Sequence, residues 1–167
     1  MPHYVALLRG ISPLNPNIRN ENLRRVFDGL HYQIAAEFGE SVRLVGSNTA
    51  AVSIELFGNF TSENEGDLRK PVKTEGSYWV IPDSKAVLQG KLHYFRRSEY
   101  CRDVIVLVSE STPSDSLTYL RERGYKFFVS GGEKVDLSQA IKKVNEKFPS
   151  ESILVDSGCG LTNAVLN

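Results

Sequence analysis

The run DVIVLVS, Asp103 to Ser109, constrains the fold more than any other stretch of the chain. Its central residues are all apolar. They show neither the alternation of a half-exposed strand nor the spacing of an amphipathic helix. Such a run predicts a strand buried on both faces, and sheets covered on both faces are built from parallel strands joined by crossover helices. The residues that follow supply those crossovers. TPSDSLTYLRERG predicts a helix with Thr112 as its cap, Pro113 in the first position, Asp115 in the first turn and Gly124 at its end. YKFFVS is the next strand and GGEK a turn. VDLSQAIKKVNEKF predicts a second helix, capped by Asp136, with Leu137, Ala140, Ile141, Val144 and Phe148 on one face, and SILVD is a further strand. Strand, helix, strand, helix, strand at this spacing predicts an α/β fold with a mostly parallel sheet and flanking helices.

Upstream the pattern is weaker. HYVALLR, His3 to Arg9, reads as a strand. Leu23, Val26, Phe27 and Leu30 fall at helical spacing behind Asn20 as cap, and Leu30, Ile34, Ala35 and Phe38 continue the stripe past Gly29, as one kinked helix or two short ones. SVRLVG reads as a strand and SNTAAVSIELF as a helix opening at Ser47 or Asn48. GNFTSENEGDLRKPVKTEG is polar and glycine-bearing, which predicts a mobile loop or an excursion. SYWVIPDS reads as a strand ending in a turn. KAVLQGKLHYFRRSEYCR has no clean period and reads as mostly irregular, with the charges of FRR and RERGYK on the solvated surface.

Length and charge narrow the function classes. At 167 residues with 41% hydrophobic content, residues 1–167 suit a single α/β domain with a real core. Lys and Arg number 20 and so do Asp and Glu, so the chain lacks the electrostatic footprint of a nucleic-acid or anionic-membrane binder. No apolar run is long enough to span a bilayer, and the N-terminus does not read as a signal peptide. Two cysteines do not make a disulfide framework, so a cytoplasmic setting is expected. His3, His31 and His93 have no metal-ligand spacing, and no metal is expected. No G-x-S-x-G elbow supports a serine hydrolase.

In a parallel sheet ligands bind beyond the carboxyl ends of the strands. Four strand ends carry small or polar residues: Gly46, Ser47 and Thr49; Asp83 and Ser84; Ser130, Gly131 and Gly132; and Asp156 to Gly160. Glycine lets a backbone approach a ligand, and free N–H groups at a helix start favour an anion such as a pyrophosphate. Each glycine alone has a plainer reading as a turn residue. The last stretch, VDSGCGLTN, departs from the usual dinucleotide fingerprint because Asn163 holds the third glycine position. Asp156 has two readings: a carboxylate that binds a ligand hydroxyl or amino group, or an Asx-turn or helix-capping residue. Cys159 lies at a helix start where a thiol can be activated, but no His stands near it in sequence and a small turn residue is the plainer reading.

From about Leu30 onward the stretches LHYQIAAEFGESVRLVGSNT, YWVIPDS, RDVIVLVSESTPSDSLTYLRERGYKFFVSGGEKVDLSQAI and SILVDSG resemble the dihydrofolate-reductase-like reductases of riboflavin biosynthesis. This is the family of the C-terminal reductase domain of the bifunctional deaminase-reductase. The resemblance implies NADPH as cofactor and a phosphorylated ribosylamino-pyrimidine, or a related pterin-like compound, as small-molecule substrate. It implies that Gly46, Ser47, Thr49, Ser84 and Ser130 to Gly132 lie along NADPH, and that Gly158, Cys159, Gly160 and Leu161 cradle its pyrophosphate. Asp156 takes the place of the family's substrate-facing acid. The chain departs from the family's pattern where Cys159 replaces a glycine, Thr162 an asparagine and Ser53 a carboxylate.

Residues 1–29 resemble instead the opening of a different, uncharacterised α/β family with a YVALLRGI start, which implies a chimera joined near Gly29. A diverged first strand, with Ser12 in the family's substrate-facing serine position, is the alternative. At the other end the family's closing strands are missing after NAVLN, so the sheet is expected to be incomplete and the chain to associate as a homo-oligomer through the open edge. An NADPH-dependent reductase is the expected function. The alternative is a non-catalytic chimeric or truncated fold that binds no nucleotide.

Overall fold

A computed structural model describes residues 3–6, 20–57, 61–68 and 73–166. Among the described residues six strands, β1 (His3–Ala6), β2 (Val42–Val45), β3 (Ser77–Pro82), β4 (Cys101–Val108), β5 (Lys126–Val129) and β6 (Ser152–Asp156), form one sheet in the order β1-β6-β2-β3-β4-β5. Every pairing is parallel, so all six carboxyl ends lie on one edge. The helices are α1 (Glu21–Glu37), α2 (Ser47–Phe57), α3 (Glu65–Leu68), α4 (His93–Arg97), α5 (Ser114–Glu122), α6 (Leu137–Lys147) and α7 (Cys159–Leu166). The α/β fold with a parallel sheet and flanking helices is the one the sequence predicts. Among the described residues, no helix is long and apolar enough to cross a membrane.

The alternation within β4 shows why a continuous apolar run is needed there. Val104, Val106 and Val108 pack on one face with Val45, Trp79 and Ile81, beneath Ala50 and Ile54 of α2, Phe95 of α4 and Tyr119 and Leu120 of α5. Ile105 and Leu107 pack on the other with Val42, Leu44, Val80 and Ile153, beneath Ala140, Ile141 and Val144 of α6 and Leu161 and Val165 of α7. A polar residue on either face of β4 would be buried, and each apolar side chain contributes roughly 1.5–3 kcal/mol.

Asn20 caps α1 by accepting from the Leu23 N–H at 3.1 Å, and Asp136 caps α6 by accepting from Gln139 at 3.0 Å. α1 runs through Gly29 as one helix. β1 joins the sheet beside β6, with Val5 opposite Leu154.

Three expectations need correction. Thr112 does not cap α5, which starts behind Pro113 without a side-chain cap. Its hydroxyl accepts instead from the Ser109 N–H and donates to the Ser84 carbonyl, tying the β4 turn to the β3 turn. The stretch read as irregular contains α4, and its Arg96 and Arg97 are paired with buried carboxylates rather than simply solvated. Arg96 donates to Asp103 at 2.8 Å and to the carbonyls of Arg123 and Gly124, because the buried Asp103 at the start of β4 needs a cation beside it. The polar excursion is pinned where it is described. Arg97 grips Asp67 of α3 with two nitrogens, Glu63 pairs with Arg123, and the Thr61 carbonyl meets His93 Nε2 at 2.7 Å. The Arg97 hydrogen bonds hold the Asp67 carboxyl down to about 2.

Candidate functional site

Ligand crevices in such sheets form where neighbouring strands send their connections to opposite faces. β2 leads into α2 on one face and β6, its neighbour, leads into α7 on the other. β4 and β5 split in the same way, through α5 and α6. The two places differ in what fills them.

At the β4/β5 split the turns are bonded shut. Glu110 donates its N–H to the Gly131 carbonyl at 2.9 Å and Ser111 donates to that of Gly132 at 3.0 Å. The Ser111 hydroxyl reaches the Glu133 carbonyl at 2.9 Å. Gly131 has φ +82°, and a Cβ there would lie 2.2 Å from the Lys134 carbonyl oxygen. Ser130 is buried, and among the described residues its Oγ has no hydrogen-bond partner. Ser84 sits one strand over, its carbonyl taken by Thr112.

At the β2/β6 split two helix N-termini stand side by side. A Cβ built on Gly46 would lie 3.6 Å from the Ser157 Cβ, 3.6 Å from Thr49 Oγ1 and 3.7 Å from the Leu161 side chain. Ser47 is the first residue of α2 and Cys159 the first of α7. The first helical bonds are Ala50 N–H to the Gly46 carbonyl and Thr162 N–H to the Gly158 carbonyl. The N–H groups before them have no intrahelical acceptor and carry the positive ends of both helix dipoles. Among the described residues no side-chain hydrogen bond links the two turns. Ser157 and Thr162 hydroxyls meet at 3.1 Å within the α7 turn. Gly158 and Gly160 have no positive φ, and a Cβ on either would meet nothing within 4 Å. Leu161 packs its side chain into the core, which leaves its backbone for the turn.

Among the described residues Asp156 makes no turn or cap hydrogen bond with its side chain. Its Oδ2 lies 2.8 Å from His31 Nε2 of α1 and 3.5 Å from an Arg43 nitrogen of β2. Arg43 is 2% exposed, pairs with Glu40, and stacks 4.9 Å from the Tyr32 ring centroid and 5.4 Å from that of Trp79. Burial alone would raise the Asp156 carboxyl, but the His31 hydrogen bond and the His31 and Arg43 charges outweigh it and hold it below the usual carboxylate range. For Glu40 burial wins over Arg43, and its carboxyl is pushed up. The register explains the meeting: Val45 is opposite Asp156, so Arg43, two residues back, shares its face under α1.

The structure therefore brings Gly46, Ser47 and Thr49 together with Asp156 to Leu161. It sets Ser130 to Gly132 at the far strand, four interstrand steps or roughly 19 Å along the same edge. Ser12 lies outside the described residues. His31 and Arg43 were missed. The available signal was the arginine inside VRLV, since a buried strand that carries a charge needs a partner from a neighbouring element. Among the described residues no group of His, Cys, Asp and Glu could hold a metal ion.

In comparisons with known proteins, no family model matches the chain and no curated protein matches it. Among solved structures it is similar to a protein from Corynebacterium diphtheriae described as pyrimidine reductase-like, with a TM-score of 0.54 and 14% identity over 99% of this chain and 69% of that one. At that identity the likeness shows the fold.

Proposed function

We propose that this chain binds NADPH along the carboxyl edge of its sheet and reduces a phosphorylated ribosylamino-pyrimidine. The observation that carries the reading is the pair of helix N-termini, α2 and α7, meeting at the β2/β6 crevice with Gly46 between them. Two dipole ends and N–H groups without an intrahelical acceptor suit a pyrophosphate. Gly158 and Gly160 fit the cofactor for a second reason: the fold does not need glycine at either, and glycine leaves the backbone open to a ligand. The family resemblance of residues 30–167 and the reductase-like description of the structural neighbour support the same reading.

Bound NADPH supplies a hydride. The chain's part is binding and electrostatics. Backbone N–H groups of α2 and α7 hold the phosphates, and Ser47 and Thr49 offer hydroxyls beside them. Asp156 offers an ionised carboxylate to a substrate hydroxyl or amino group. Ser130 to Gly132 lie in line with an extended ligand, but the Gly131 and Gly132 carbonyls are bonded to the β4 turn, so this end contributes shape.

Calorimetric titration with NADPH and NADH tests this. Micromolar NADPH binding is expected, lost in Gly158→Trp while the melting temperature holds, because a Cβ at that position has no neighbour within 4 Å. Binding of neither nucleotide by the wild-type protein would favour a non-catalytic fold.

A further inference from the structure

Two contacts on one carboxylate oxygen single out His31. Both inward partners of Asp156, His31 Nε2 and the Arg43 guanidinium, meet Oδ2. Oδ1 has no protein hydrogen-bond partner among the described residues, and the side chain keeps 20% exposure at the carboxyl edge. His31 itself is 3% exposed, with its ring edge-on to Tyr32 at 5.5 Å. It lies behind Asp156 and reaches the crevice only through it.

We propose that His31 is a positioning residue that fixes Asp156 Oδ2 from beneath and so presents Oδ1 to an N–H or O–H donor of the substrate. The inference rests on the reductase reading and deepens it. A carboxylate can only accept, so Nε2 carries the proton. Among the described residues Nδ1 is buried without a partner, so Nε2 is the ring nitrogen committed to Asp156. The charged and titratable groups facing this pair are Asp156 from β6, Arg43 from β2, Glu40 from the turn before β2 and Tyr32 from α1 itself. Arg43 is shared with Glu40, which it meets through two nitrogens, so it cannot hold Asp156 alone. Without His31, burial and the nearby Glu40 charge act on Asp156 against a single guanidinium 3.5 Å away.

Carboxyl carbon-13 resonances followed against pH test the hold directly, with Asp156→Asn identifying the resonance. The wild-type Asp156 is expected to titrate below the ordinary carboxylate range and to respond to added ribosylamino-pyrimidine phosphate. In His31→Leu its titration moves upward, and in His31→Gln, whose amide can still donate, it returns toward wild type. With NADPH present, the KM for the ribosylamino-pyrimidine phosphate rises about tenfold in His31→Leu, the loss of one charge-assisted hydrogen bond. NADPH affinity stays at the wild-type value. An Asp156 titration that does not move in His31→Leu overturns the inference. So does a wild-type protein that binds NADPH but whose Asp156 resonance ignores the pyrimidine ribotide, and that result leaves the nucleotide reading standing. A protein that binds no nucleotide yet shows the ribotide response, lost in His31→Leu, overturns the nucleotide reading and supports the role of His31.

Discussion

Two serine-glycine turns end strands on the same edge of the same sheet, and they are glycine for different reasons. After β5, Gly131 is left-handed and packed so closely that only hydrogen fits where a Cβ would point. That turn is explained from within the chain, and the Gly131 and Gly132 carbonyls are spent on the neighbouring β4 turn. After β6, Gly158 and Gly160 are under no such demand. The strain-free turn is the one whose glycines need a reason outside the protein. A glycine-rich strand end is therefore not by itself a ligand site; what matters is whether the fold has already used the space.

The β6 end is not held by its turn but by the charges beneath it. Arg43→Met should have the largest effect, a loss of about 3–5 kcal/mol, because it leaves Glu40 and Asp156 in a buried site without their guanidinium. Chemical denaturation at neutral pH measures it. A loss below about 1 kcal/mol would mean that the pair is solvated, and the contrast between the two strand ends would fail. Gly131→Ala comes next, with at least about 2 kcal/mol lost to the left-handed backbone and the contact with the Lys134 carbonyl. A thermal melt of this variant that matched wild type would show that the β5 turn relaxes freely, and Gly131 would return to the list of candidate ligand contacts.

How much of this was legible in the sequence follows from the range of the interactions. β4 and β6 could be read because burial on both faces writes a local pattern, α5 and α6 because one buried face writes a helical spacing, and Asp136 and Asn20 could be read as caps because capping spans three residues. The sheet order could not, since β6 inserts between β1 and β2 without any local mark. The glycine turns were visible but not their difference: Ser-Gly-Gly after β5 and Ser-Gly-Cys-Gly after β6 look alike until φ and the distance to Lys134 are known. His31 was hidden for a related reason. It lies 125 residues from Asp156, and a lone histidine in an amphipathic helix has no spacing to announce a partner. Arg96 and Arg97 looked like solvated charge because their partners, Asp103 and Asp67, belong to other elements.

The smallest effect separates the two turns most cleanly, because stability and binding should move in opposite directions. Gly160 is the second residue of α7, and a Cβ there has no neighbour within 4 Å beyond its own helix backbone. Gly160→Ala removes backbone freedom from the unfolded chain and suits a helix, so it should raise stability by a few tenths of a kcal/mol, at most about 1. If the open turn is where a phosphate approaches the α7 backbone, the added methyl stands in that approach, and NADPH affinity measured by calorimetry should fall although the protein melts slightly higher. The same methyl at Gly131 is expected to lower stability outright. An alanine at 160 that stabilises the protein and leaves nucleotide binding untouched would place the ligand elsewhere on the edge, and Gly46 with the α2 N-terminus would then be the surviving half of the crevice.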